Sequence, residues 1–250
     1  MRWNERNPSL VGCCGLLVVL FNLAATSAQQ TSPSPVPASS PTASPGPPSP
    51  NSSQAEFVVI IDPAHGGEDK GEVFGPGFLE KDVTLSFARA LRRELEQRGM
   101  AARMLRDTDA NLTLQHRAEL SNQQRSSVYV ALHAGVPGKG VRVYSSLLAS
   151  RQQPAGRFIA WENAQSASLD RSSALAKAVT REVQKRELKA LNLAAFLRPL
   201  NNIVSPAIAV ELTADYSDEH SLESQKLQTT VASAVASAIA QMRAHLGGRP

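Results

Sequence analysis

The sequence predicts an α/β fold, a single domain with a mostly parallel twisted sheet flanked by helices on both faces. Three observations carry this. Phe57–Ile61, Val128–Leu132 and Ala207–Val210 are short continuous apolar runs, as expected of strands buried on both sides. Val83, Phe87, Leu91 and Leu95 recur every four residues, the period of a helix with one buried stripe. Strand-like and helix-like segments alternate along the chain, which is the pattern of βαβ units.

The elements follow in order. Phe57 to Ile61 is the first strand, and Asp82 to Arg98 reads as a helix that Gly99 stops. Ala101 to Leu105 is a second strand. Leu112 to Gln123 is a helix with Leu112, Leu114, Ala118 and Leu120 on its buried side. Val128 to Leu132 and Val141 to Tyr144 are strands separated by a Gly/Pro-rich loop, and Ser172 to Lys185 is helical. Ala207 to Val210 is a further buried strand. Leu227, Val231, Val235, Ile239 and Met242 mark an apolar stripe on a last helix.

This domain is expected over residues 55–250. Before it, Arg2 and Arg6 precede a mostly apolar Leu10–Leu23, and Thr26-Ser27-Ala28 offers a cleavage position, so residues 1–28 read as a signal peptide, with an uncleaved membrane anchor as the alternative. Residues 29–54 are rich in Ser, Pro, Thr and Ala without a charge, and read as a Pro/Ser-rich disordered linker. The expected location is therefore outside the cytoplasm, periplasmic or extracellular at the cell wall.

Composition narrows the chemistry. The formal net charge is +4 without a long Lys/Arg run, which argues against a nucleic-acid partner and leaves a weak attraction to an anionic polymer. The two cysteines, Cys13 and Cys14, both lie in the leader. The mature chain then has no disulfide and no thiolate, and any metal must be held by oxygen and nitrogen.

In open α/β sheets the working residues lie beyond the carboxyl ends of the strands. His65 follows the first strand, His133 follows Val128–Leu132, and Glu211 follows Ala207–Val210. Glu80, just before the first long helix, completes a set of two histidines and a carboxylate that suits catalytic zinc with an open position, and leaves Glu211 as a general base. Each residue also has a plainer reading: a hydrogen-bonded strand-end histidine, a first-turn helix carboxylate, a surface glutamate. Asp62 either orients a ligand histidine or caps local backbone. His116, His220 and His245 read as solvent-facing, while Arg198 and Asn201 either line a groove or lie at the surface. Spacing alone leaves these alternatives open.

The motifs Ile61-Asp62-Pro63-Ala64-His65-Gly66-Gly67, Leu79-Glu80-Lys81-Asp82-Val83-Thr84-Leu85, Ala131-Leu132-His133-Ala134 and Ser205-Pro206-Ala207-Ile208-Ala209-Val210-Glu211 occur in this order. Gln97-Arg98-Gly99, Arg106-Asp107-Thr108-Asp109 and Leu114-Gln115-His116-Arg117 fall between them. Together they resemble the zinc-dependent N-acetylmuramoyl-L-alanine amidases of the amidase-3 type over residues 57–241. The resemblance implies one Zn2+ per domain on His65, Glu80 and His133, with Glu211 as the catalytic glutamate. It implies peptidoglycan as partner and substrate, cut at the amide between the lactyl group of N-acetylmuramic acid and L-alanine. The chain departs from the family at Ala64, where Gly is usual, and at Gly135, where Asn usually follows His-Ala. The short stretch from Ser145 to Asp170 implies an open groove. Two other readings stand beside this one: a wall-binding domain of the same fold without catalysis, and a zinc peptidase acting on stem peptides. A phosphate-binding loop at Gly138-Lys139-Gly140 is rejected, because no Ser or Thr follows the lysine.

Overall fold

A computed structural model describes residues 57–123, 128–148 and 160–247. The leader and linker expected over residues 1–28 and 29–54 lie outside these residues, as do residues 149–159 of the stretch taken to leave the groove open. In chain order the elements are β1 (Val58–Pro63), β2 (Val73–Gly75), β3 (Phe78–Leu79), α1 (Glu80–Glu96), β4 (Ala101–Met104) and α2 (Leu114–Asn122). They continue with β5 (Val128–Gly135), β6 (Gly140–Ser146), α3 (Leu169–Gln184), β7 (Ala190–Ala195), β8 (Ala207–Thr213) and α4 (Gln225–Leu246).

The main sheet has six strands in the order β4-β1-β5-β8-β6-β7. The first four run parallel, β6 runs antiparallel to β8, and β7 is parallel to β6. The mostly parallel α/β architecture is thus the observed one, with a reversed pair at one edge. β2 and β3 form a small separate hairpin. The sequence reading places no strand at β2, β3 or β7.

Alternation along the strands sends neighbouring side chains to opposite faces. One face carries Val59, Ile61, Val130, Leu132, Ile208 and Val210, covered by α1, α3 and α4. There Phe87, Leu91, Leu95, Leu175, Val179, Val231, Val235 and Ile239 are fully buried. Each such side chain stabilises the fold by about 1.5–3 kcal/mol. Leu227 and Met242, at the two ends of the α4 stripe, pack only partly buried. The other face carries Val58, Ile60, Tyr129, Ala131, Ala207 and Ala209 under Ala118 of α2, with Leu200 and Ile203 closing it.

That second core is smaller and built largely of small residues. Its strands place Asp62, His133 and Glu211 at their ends on the same face, one pleat beyond Ile60, Ala131 and Ala209.

Helix α2 corrects the sequence reading. Its buried residues are Arg117, Ala118 and Ser121, whereas Leu114 is 50% exposed. The helix turns its guanidinium-bearing side inward because Asp62 lies beneath it, and a buried carboxylate needs that partner. Thr113 caps the helix by accepting from the His116 N–H at 3.2 Å.

Candidate metal centre

The loop after β1 doubles back on itself. His65, Gly66 and Gly67 all have positive φ, at 62°, 133° and 61°. Gly66 cannot be replaced without cost, since a Cβ there would lie 2.3 Å from the Ala110 carbonyl oxygen. His65 has no such freedom, and a side-chain-bearing residue in this region is strained by about 1–3 kcal/mol. The surrounding structure offsets that strain.

Two buried arginines hold the loop by its carbonyls. Arg106 donates to Pro63 O and Ala64 O, both at 3.0 Å. Arg117 donates to Pro63 O at 2.9 Å and to His65 O at 2.7 Å. Asp62, only 2% exposed, accepts from Arg117 and from the Tyr129 hydroxyl. Asp62 therefore reaches His65 through the Arg117 guanidinium and the backbone, and these contacts are neither of its two readings, a direct hold on the imidazole or a cap on local backbone. Farther along, Asp109 accepts from Gly67 N at 2.7 Å and from Lys81 Nζ at 2.6 Å.

The carboxylate beside His65 is Asp69, which the sequence reading passed over. Its Oδ1 lies 2.9 Å from His65 Nδ1 and also accepts from Gly71 N. The curl of the loop brings it there through reciprocal backbone bonds between Gly66 and Asp69. An ionised carboxylate accepts only, so the Nδ1 proton is held at Asp69 and Nε2 faces inward.

Glu80 opens α1 and is 5% exposed. Its Oε2 lies 3.1 Å from His65 Nε2 and accepts from Glu72 N at 2.9 Å. Its Oε1 lies 3.0 Å from His133 Nδ1 and accepts from Ala134 N at 3.2 Å. Burial pushes the Glu80 carboxyl up, but the imidazoles of His133 and His65 outweigh it and hold the group well below the usual carboxylate range. Burial likewise opposes charging His65, and the hydrogen bonds and charges of Glu80 and Asp69 reverse that, raising its pKa. Gly71 allows this approach: at φ 65°, a Cβ on it would sit 2.6 Å from Glu80 Oε2 and from His65 Cδ2.

One ligand atom from each of His65, Glu80 and His133 lies within 4.8 Å of the others, close enough for the three to hold one metal ion. Glu211 stands next to His133 in register across β5 and β8. Its Oε2 accepts from the Tyr144 hydroxyl at 2.8 Å and from Arg142 Nη1 at 3.2 Å. Burial, then the Glu211 carboxylate, pushes the Tyr144 hydroxyl up to about 12, so it stays a donor at ordinary pH. Glu211 Oε1 instead faces Gly135.

The remaining candidates lie elsewhere. Asn201 is 1% exposed and bonds Leu147 O and Leu197 N, so it braces a turn and lines no groove. Arg198, His116, His220 and His245 are exposed.

Comparison with known proteins gives the family. AmiC, an N-acetylmuramoyl-L-alanine amidase of Escherichia coli O6:H1, is 42% identical over 79 residues, 31% of this chain and 19% of that protein. AmiC of Neisseria meningitidis serogroup B is 33% identical over 106 residues, 41% of this chain and 26% of that protein. The match thus spans only about a fifth to a quarter of these relatives' length. The solved structure of the amidase AmiC2 of Nostoc punctiforme superposes with a TM-score of 0.60 at 26% identity, covering 75% of this chain and 97% of that one. A family model described as N-acetylmuramoyl-L-alanine amidase matches residues 59–241, from β1 through most of α4. The chain belongs to the amidase-3 family of N-acetylmuramoyl-L-alanine amidases.

Proposed function

We propose that the chain is an exported zinc hydrolase that cleaves the amide between the lactyl group of N-acetylmuramic acid and L-alanine in peptidoglycan. The observation that carries this reading is the meeting of His65, Glu80 and His133 within 4.8 Å, beside Glu211, in a chain of the amidase family. Two imidazoles, one carboxylate and no thiolate suit a borderline ion such as zinc, which keeps an open position in such a set. Bound there, zinc supplies a water acidified to a pKa of about 7 and a polarised substrate carbonyl.

The chain's own groups do the rest. Asp69 fixes the His65 tautomer, so that Nε2 is the nitrogen offered as ligand. Backbone N–H groups of Glu72 and Ala134 hold the two Glu80 oxygens apart, one toward each histidine. Tyr144 and Arg142 occupy Glu211 Oε2, which leaves Oε1 to take the proton of the attacking water and return it to the amide nitrogen as the C–N bond breaks. One water is consumed, and a lactyl carboxylate and an amine leave. Export rests on the leader read at residues 1–28. Among the described residues no helix is long and apolar enough to cross a membrane.

The test is zinc content and peptidoglycan hydrolysis of the full chain beside Glu211→Gln. The wild type holds about one zinc and releases intact stem peptides. The variant keeps the metal and loses about 10²- to 10⁴-fold in kcat. Cleavage within the stem peptides instead would make the chain a peptidase. A zinc-loaded wild type that leaves the wall uncut would make it a binding domain.

A further inference from the structure

The Glu72 side chain has no part in the mechanism above, yet the residue touches both halves of the centre. Its backbone brackets Glu80: Glu72 N donates to Glu80 Oε2, and Glu80 N donates to Glu72 O, both at 2.9 Å. Its side chain reaches the other way, where Glu72 Oε2 accepts from Val136 N at 3.1 Å, just past the end of β5. One residue thereby ties the hairpin that leads into Glu80 to the strand that carries His133. Among the described residues, the other hydrogen bonds that join the two run through the Glu80 carboxylate, to His133 and Ala134 N.

The side chain fits because residue 135 has none. A Cβ on Gly135 would lie 3.2 Å from Glu72 Oε2 and 2.7 Å from Glu211 Oε1. Gly135 has an ordinary negative φ, so no backbone demand explains the glycine; space does. Two carboxylates converge on that space: Glu211 turns Oε1 toward it while Tyr144 and Arg142 hold its Oε2, and Glu72 turns toward it the Oε2 that accepts the Val136 N–H.

We infer that Glu72 is a positioning residue of the metal centre, acting through Glu80 and the end of β5, and that Gly135 is the space it requires. The inference rests on reading His65, Glu80 and His133 as metal ligands. Glu72 takes no part as a ligand itself; it sets the separation between two of them.

The experiment is a zinc-affinity titration of the full chain against a chromophoric chelator, with unfolding midpoints measured alongside. The variants are Glu72→Ala, Glu72→Gln, Gly135→Ala and the Glu72→Ala/Gly135→Ala double. Glu72→Ala is expected to weaken zinc binding at least about tenfold, as loss of partners around metal ligands does. Glu72→Gln keeps an oxygen for the Val136 N–H and is expected to stay within roughly threefold of wild type. Gly135→Ala also weakens binding, and the double variant is no weaker than the worse single, because both changes remove one arrangement. Zinc affinity unchanged in Glu72→Ala overturns the inference, whatever its effect on the unfolding midpoint. Additive losses in the double variant overturn the pairing with Gly135. A wild-type chain that takes up no zinc fails differently, since it removes the ligand reading and this inference with it.

Discussion

The two sides of the centre are held by different means. His65 sits on a loop whose backbone runs against its own preference, and it stays there because Arg106 and Arg117 grip three successive carbonyls. Glu211 sits within a strand, flanked in register by His133 on one side and Arg142 on the other. Its backbone needs no help, and only its carboxylate is steered. A group presented by a loop thus draws on buried residues far along the chain, such as Arg117, 52 positions from His65, whereas a group presented by a strand inherits its place from the ladder. Damage to the buried supports of the first side should therefore cost fold and metal together, and damage to the second should cost turnover alone.

The strongest way to break this contrast is Arg117→Met. It leaves Asp62 charged and buried with one partner fewer, which should cost about 3–5 kcal/mol in urea unfolding, with zinc content falling in parallel. A variant that kept its stability would show that the loop does not depend on Arg117. Asp69→Ala is gentler, because Asp69 is exposed and holds only the far nitrogen of His65. Zinc affinity should drop about 10- to 100-fold with little change in the unfolding midpoint of the zinc-free chain. Tyr144→Phe probes the other side. It removes one donor from Glu211 and should lower kcat by about tenfold, the worth of a hydrogen bond to a charged group, at unchanged zinc content.

The smallest effect is expected far from the centre, at Glu182, and serves as a control. Lys185 and Arg186, aided by Gln241, hold its carboxyl down at about 2 against the effect of burial. Its folded pKa lies below the unfolded value, so its stabilising contribution is present above the ordinary carboxylate range and is lost as pH falls toward about 2. Glu182→Gln should flatten the acid limb of the unfolding midpoint without moving zinc affinity or kcat.

How much of this the sequence revealed follows the same division. β1, β5 and β8 were legible because strands covered on both faces are continuously apolar, and their ends led directly to His65, His133 and Glu211. Helices α1, α3 and α4 were legible from their stripes. Strand β7 was not, because it lies at the sheet edge with Leu191 through Ala194 exposed and so lacks a buried pattern. The reversal of β6 had a signal that went unused: four residues separate β5 from β6, too few for a parallel crossover. The inward turn of Arg117 is not visible in an apolar pattern, and arginines are seldom buried. Asp69 escaped notice because a place beside a strand end, such as that of Asp62, is visible in a sequence, whereas the curl of three positive φ angles is not.

The distribution of the three metal-facing groups along the chain also bears on how the protein responds to its surroundings. His65 follows β1 and His133 lies in β5, so the two meet only once β1 and β5 have paired, and Glu80 reaches them only when α1 has docked. An unfolded chain therefore presents no chelate, and on the proposed reading zinc binds the native state alone. By mass action each tenfold rise of free zinc above its dissociation constant adds about 1.4 kcal/mol to the folded state. The melting temperature then becomes a measure of zinc supply, and a chelator lowers it without touching a single covalent bond.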